Sequence, residues 1–226
     1  MGIKEKYTVK SITNFDCRDW IINKHYAKRL PPIEYAMGLF SEVGLQGIVT
    51  YATPVSNPLR KLFFPDFSIM ELNRLVINEG LEKNSLSFLV SQSLKLIPPP
   101  MVIVSYADTS QNHHGYIYQA TNFIYTGLSA KRTDYKIKGM EHLHGHTIAD
   151  ISRGQENRSQ FLKDKFGSDF SLEDRPRKHR YFYFLGSKQQ IKRMNELLPY
   201  KIEPYPKGDN VRYDASYKPT IQKTIF

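Results

Sequence analysis

The chain has one cysteine, Cys17, in 226 residues. A single thiol excludes an internal disulfide and a cysteine-rich zinc site. No run of about 18 apolar residues occurs, so no segment reads as a membrane span. The opening MGIKEKYTVK lacks the apolar core of a signal peptide and the Ser or Thr at position 6 that myristoylation favours. These absences predict a protein of a reducing cytoplasm with no membrane partner. HExxH, internal repeats and low-complexity tracts are also missing.

Acidic residues are short in supply, and unevenly so. The net charge is +10. Residues 1–127 hold 12 Lys/Arg against 10 Asp/Glu, whereas residues 128–226 hold 20 against 12. Fifteen Tyr and thirteen Phe lie among these charges. Cations with interleaved aromatics suit phosphate backbones and stacked bases, so a nucleic acid is the expected partner.

Periodicity predicts an α/β chain. KYTVKSIT alternates as a strand, and Asp16–Tyr26 follows as a helix capped by Asn14, with Cys17, Trp20 and Ile21 inward. Tyr35–Phe40 and Leu45–Tyr51 form a hairpin, and Ile69–Ile77 is another strand. Asn84 caps a helix carrying Leu86, Leu89, Val90, Leu94 and Ile97, which three prolines stop at 98–100. Met101–Val104 reads as a buried strand, Gly115–Asn122 as a short helix and Ile124–Leu128 as a strand. The helix between the Ile69 and Met101 strands implies a parallel pair. From 131 to 180 apolar periodicity fades, apart from a helix within Asp150–Lys165. Arg180–Leu185 is a strand and Lys188–Leu198 a helix. Residues 1–130 are therefore taken as the core. Residues 131–226 are taken as a basic part completing the same domain, with a strand near 180–186 and a helix near 188–198.

Proton-handling groups collect in VSYADTSQNHHGYIYQATNFIYTG, residues 104–127. Asp108 ends a strand, at the edge where open α/β sheets bind ligands. It reads as a proton acceptor beside Ser105, Tyr106 and Thr109, or as a cap of the next loop. Tyr118 reads as an acid or orienting phenol, or as core; Tyr116, Phe123 and Tyr125 are core candidates. His25 and Tyr26 close the first helix, where they face a cleft or the helix dipole holds the His. His113-His114 and His142-x-His144-x-His146 raise a metal question, but no carboxylate stands at a metal spacing, and phosphate contact or exposure fits them better. NEGLEKNS, ahead of the Asn84–Ser85 helix start, lies where a phosphate is received, yet it carries one Gly and two acidic residues. Arg175–Arg180 is the densest basic run, with Arg177, Lys178 and Arg180 as phosphate contacts.

Ile117-Tyr118-x-x-x-Asn122-Phe123, together with the strand order, resembles the GNAT (Gcn5-related N-acetyltransferase) fold. That resemblance implies a mixed central sheet flanked by helices, here with a basic C-terminal extension. Tyr118 stands where that family carries the tyrosine that protonates the departing thiolate, and Asn122 replaces a glycine. The acetyl-CoA signature is replaced by NEGLEKNS, with Asn84 and Ser85 as the cofactor-facing positions. HYAKRLPP, ELNRLVIN, the SYAD…GYIYQATNFIYTG stretch, LHGHT and KHRYFYFLG together resemble the Mom family of bacteriophage DNA-modification proteins, a divergent GNAT branch. The resemblance implies an enzyme of the bacterial host's cytoplasm whose partner is double-stranded DNA and which adds a carbamoylmethyl group to adenine N6 there, protecting it from restriction. It carries over His25, Tyr26, Arg74, Asp108 and Tyr118 as site residues. Ser105, Tyr106, His144, Arg177, Lys178 and Arg180 are the expected substrate and DNA contacts. Acetyl-CoA or a related acyl donor, and iron, stay open as cofactors. Two other readings also stand: an acetyl-CoA-dependent N-acyltransferase on a small amine or protein, and a non-catalytic DNA-binding module.

Overall fold

The computed structural model describes residues 2–141, 143 and 145–209, with the backbone alone at 145 and 146. Two compact units form. One runs to Gly127 and resumes at Lys178; the other is Leu128–Arg177.

The first unit is built on one sheet of seven strands: β1 Thr8–Ser11, β2 Tyr35–Ser41, β3 Gly44–Ala52, β4 Ile69–Ile77, β5 Met101–Asp108, β6 Ile124–Leu128 and the later β9 Lys178–Leu185. Their order is β1-β2-β3-β4-β5-β9-β6. Pairing from β1 to β4 is antiparallel, β4–β5 is parallel and β5–β9 is antiparallel. The parallel pair follows from the crossover through α4, Ser85–Leu94, as the sequence pattern implied. The remaining helices of this unit are α1 Ile3–Lys6, α2 Asn14–Asp19, α3 Asn57–Arg60, α5 Tyr116–Ala120 and α8 Lys188–Leu197.

Strand alternation sorts the core into two faces. Met70, Leu72, Ile103 and Tyr181 join Leu89, Val90 and Leu94 of α4 on one side. On the other, Ile69, Val102, Val104, Phe182 and Phe184 pack against Phe63 and Met194. Cys17, Trp20 and Ile21 bury against Ile48 and Val76. Of the three prolines that follow α4, Pro99 and Pro100 are joined by a cis peptide bond.

Two caps differ from expectation. Thr13, not Asn14, caps α2: its hydroxyl accepts the Asp16 amide, and Asp16 in turn accepts the Thr13 amide at 2.9 Å. Asn84 precedes α4 in the left-handed conformation (φ 73°) and its side chain makes no capping bond. The first helix also ends early. It widens into a π-turn over Trp20–Lys24, and the His25 amide reaches back to the Trp20 carbonyl at 3.0 Å. His25 is then extended rather than helical, which swings its ring inward.

In the second unit, the stretch of faded periodicity holds a hairpin, β7 Thr133–Ile137 with β8 Phe170–Asp174, and two helices, α6 Gly145–Ile151 and α7 Arg158–Phe166. Its core is small: Ile137, Ile148 and Leu162, edged by aromatics such as Tyr135, Phe161 and Phe170. Few apolar positions are needed to hold so small a unit, which is why no long pattern marks it in the sequence. An Arg175–Asp134 ion pair and Arg158 bonds to the Ala149 and Ser152 carbonyls tie its elements together.

Gly115 opens α5 at φ +75°, and a Cβ there would lie 2.5 Å from the Tyr181 ring. Gly115→Ala therefore meets both left-handed strain and a buried aromatic. It should lower unfolding free energy by at least about 1–3 kcal/mol in urea titration. Wild-type stability in that variant would contradict the close approach.

Candidate functional site

The site begins where two strands part. The β4–β5 pairing spans only Ile69↔Val102 to Leu72↔Ser105, although β4 continues to Ile77 and β5 to Asp108. The cause is on the other edge of β4. Thr50 pairs with Arg74 while Tyr51 pairs with Leu72, so Asn73 is an extra residue in the ladder. Such a bulge bends its strand. Asn73 is held in place by the Thr50 hydroxyl (2.6 Å), and it donates to the Pro32 carbonyl (2.9 Å). Beyond that point β4 leaves β5, while β9 still pairs β5 along its length.

Ser105 closes the narrow end. Its hydroxyl donates to the Leu72 carbonyl at 3.0 Å and is hydrogen-bonded to the Tyr118 phenol. Burial pushes that phenol up to about 12, with the Ser105 bond opposing and Glu71 adding to the rise. Tyr118 thus keeps its proton at neutral pH and is available as a donor rather than a base.

Asp108 is buried and fully engaged. Oδ1 accepts the Ser110 amide (3.0 Å) and hydroxyl (2.7 Å), and Oδ2 pairs with Lys178 Nζ at 3.0 Å. Burial acts to raise its pKa, but Ser110 and Lys178 outweigh it and hold the carboxyl below its ordinary value. Lys178 sits directly across the β5–β9 ladder, so strand register builds this pair.

His25 is 5% exposed. Burial, then the charges of Arg74, His113 and Lys178, depress it to about 3. Its Nδ1 accepts the Ala27 amide at 3.0 Å, which leaves Nε2 as the protonated nitrogen of a neutral ring. Tyr26 stacks on His25 at 4.5 Å and meets His113 edge-on at 6.0 Å. Burial also lowers His113, against the pull of Asp108. Arg74 donates to the Asn73 and Arg29 carbonyls at 2.6 and 2.7 Å, and its Nε is buried with no hydrogen-bond partner among the described residues.

The fold therefore gathers His25, Tyr26, Arg74, Ser105, Asp108, Tyr118 and Lys178 around one parting of strands. Tyr106 lies two residues before Asp108 on the same face of β5, cross-strand from Arg180. Others stand apart. Arg180 donates to the Thr126 hydroxyl and carbonyl, both at 2.9 Å, and lies 3.4 Å over the Tyr200 ring. Arg177, in the second unit, donates to the Leu128 and Ser129 carbonyls. His144 lies outside the described residues, as does His142. At the start of α4 the Ser85 amide and hydroxyl both donate to the Glu82 carbonyl, and Glu82 pairs with Lys6. That turn closes on itself beside the Glu82 carboxylate and its Lys6 partner. For iron, the described residues contain no group of three or more His, Cys, Asp or Glu side chains placed to hold a metal ion.

Two neighbours of the site carry weak signals in the sequence. His113 reads there as a phosphate contact or an exposed residue. Glu71 is a lone acid inside the apolar run IMELNRLVI, two residues before the bulge. Burial raises the Glu71 carboxyl, tempered by Lys178 and Arg74.

The family model for the Mom protein family matches residues 6–207. The chain is 32% identical over 214 residues to methylcarbamoylase mom of Escherichia phage Mu, covering 91% of this chain and 86% of that protein. Among solved structures, a GNAT-family acetyltransferase from Bacillus cereus aligns with 79% of this chain and 96% of its own, at 14% identity and TM-score 0.39. An N-acetyltransferase from Staphylococcus aureus aligns with 80% and 99%, at 14% identity and TM-score 0.42.

The depressed His25 has a consequence for stability. Below its ordinary value of 6.5 the unfolded chain takes up a proton that the folded chain refuses down to about 3. Stability is thus lost as pH falls through that window, by on the order of 2 kcal/mol at pH 5. His25→Asn should reduce the loss between pH 7 and pH 5 by that amount in urea unfolding. An unchanged loss would rule out a neutral, buried His25.

Proposed function

Because the chain belongs to the Mom protein family, we propose that it is a phage DNA-modifying transferase that adds a carbamoylmethyl group to N6 of adenine and so shields DNA from restriction. The observation that carries this reading is the cluster of His25, Tyr26, Arg74, Asp108, Tyr118 and Lys178 at the parting of β4 and β5, in a chain of net charge +10.

Adenine N6 is a poor nucleophile because its lone pair is delocalised into the ring. In duplex DNA it is also out of reach, so the base must be turned out of the stack and held against aromatic surfaces. Tyr26, itself braced by His25 and His113, supplies such a surface. Neutral His25 offers an Nε2 proton to a ring nitrogen of the base. Arg74 Nε is a buried donor open to an acceptor on the incoming group. Asp108 holds Lys178 as a fixed cation beside the cleft, favouring the negative charge that develops as a proton leaves. Tyr118, protonated throughout, donates to the departing group. The positive charge of the chain draws the DNA backbone in and makes association fall with salt.

Nucleoside mass spectrometry of plasmid from expressing cells tests this. The expected product is an adenine nucleoside heavier by one carbamoylmethyl group. Asp108→Asn and Tyr118→Phe should each lower its yield by about 10²–10⁴-fold. Unmodified adenine despite good expression would overturn the reading. Acetylated protein or small amines would then point to an N-acyltransferase, and salt-sensitive DNA binding without any product to a binding module.

A further inference from the structure

Resting on that adenine-modifying reading, we propose that Glu71, and not Asp108, takes the proton that N6 gives up. The two carboxylates differ in what surrounds them. Asp108 already receives three donors, two from Ser110 and one from Lys178. It has little left to offer a substrate amine. Glu71 receives no hydrogen bond from any described residue, although it is largely withdrawn from solvent. A carboxylate so placed is costly in the empty protein, and the cost is relieved when a ligand brings donors to it. An exocyclic amine brings two.

Its placement is also that of a reacting group. Glu71 is the penultimate β4 residue still paired to β5, across from Val104, and it pairs with Ala52 on the other side. It is therefore held rigidly at the mouth of the parting, and alternation puts it on the face of Val104, Tyr106 and Asp108. The charges that act on it come from two strands, Lys178 from β9 and Arg74 from β4 itself, and the Tyr118 phenol of α5 is within electrostatic reach. The two cations keep Glu71 ionised enough to act, while burial makes it a stronger base than Asp108.

The step balances as follows. The N6–H bond breaks and its proton passes to the Glu71 carboxylate. The electron pair left on N6 forms the bond to the methylene carbon of an electrophilic carbamoylmethyl donor. The bond from that carbon to the donor's leaving group breaks, and the leaving group departs with the pair. N6 keeps its second hydrogen. Asp108 in this arrangement is a positioning residue that anchors Lys178.

Co-expression with plasmid and nucleoside mass spectrometry decides between the two carboxylates. Glu71→Gln keeps the size and polarity of the side chain and removes only the base; it should lower modified adenine by at least about 10²-fold. Glu71→Asp keeps the carboxylate and should retain at least a tenth of wild-type modification. Duplex binding by both variants should stay within threefold of wild type. Modification by Glu71→Gln within threefold of wild type, or equal loss in both variants, would overturn the proposal. Absence of product from the wild-type chain is a separate result, and it would sink the adenine reading itself.

Discussion

The extra residue at Asn73 is the constraint on which the site depends. A parallel pair that ran on in register past Leu72 and Ser105 would leave no parting between β4 and β5. The bulge turns β4 away after Leu72, and β9 keeps β5 from following. The backbone groups released by the parting still need partners. Ser105 supplies one by donating to the Leu72 carbonyl, and this same hydroxyl is bonded to Tyr118. A local repair of the sheet thus also orients the phenol. Asn73 itself is pinned by Thr50 and Pro32, so the loop after the first helix and strand β3 both enforce the bend.

The second feature is how one small region holds groups displaced in opposite directions. Burial alone raises acids and lowers bases. It prevails at His25, Glu71 and Tyr118. At Asp108 the Ser110 bonds and Lys178 prevail instead. The result at neutral pH is a neutral imidazole, a protonated phenol, a satisfied carboxylate and an unsatisfied one. Groups kept apart in this way can take distinct parts in a single proton transfer.

Much of the fold was legible because its strands and helices are marked by turn residues and strong periodicity. The hairpin Tyr35–Tyr51, the α4 crossover and the Lys178 strand stand close to where the pattern placed them. Caps were less legible: Thr13 and Asn14 are both capping types, and only the turn geometry selects one. The hairpin and α6 of Leu128–Arg177 escaped because three buried residues suffice for the core, whereas α7 falls in the Asp150–Lys165 stretch read as helical. Arg180 illustrates a different limit. In the sequence it belongs to the densest basic run, and only the strand's setting shows its bonds to Thr126 and its place over the Tyr200 ring.

By itself, the sequence determined the class of fold, the basic balance and the residue types at the end of the Met101 strand. Those depend on composition and on spacing of near neighbours. Only the tertiary structure decided which proton-handling groups meet. His25 and Asp108 are 83 positions apart, and Asp108 and Lys178 are 70 apart. A π-turn, a bulge and a strand register bring them together. Whether a carboxylate is saturated like Asp108 or open like Glu71 depends on neighbours from distant strands, and no local pattern carries that information.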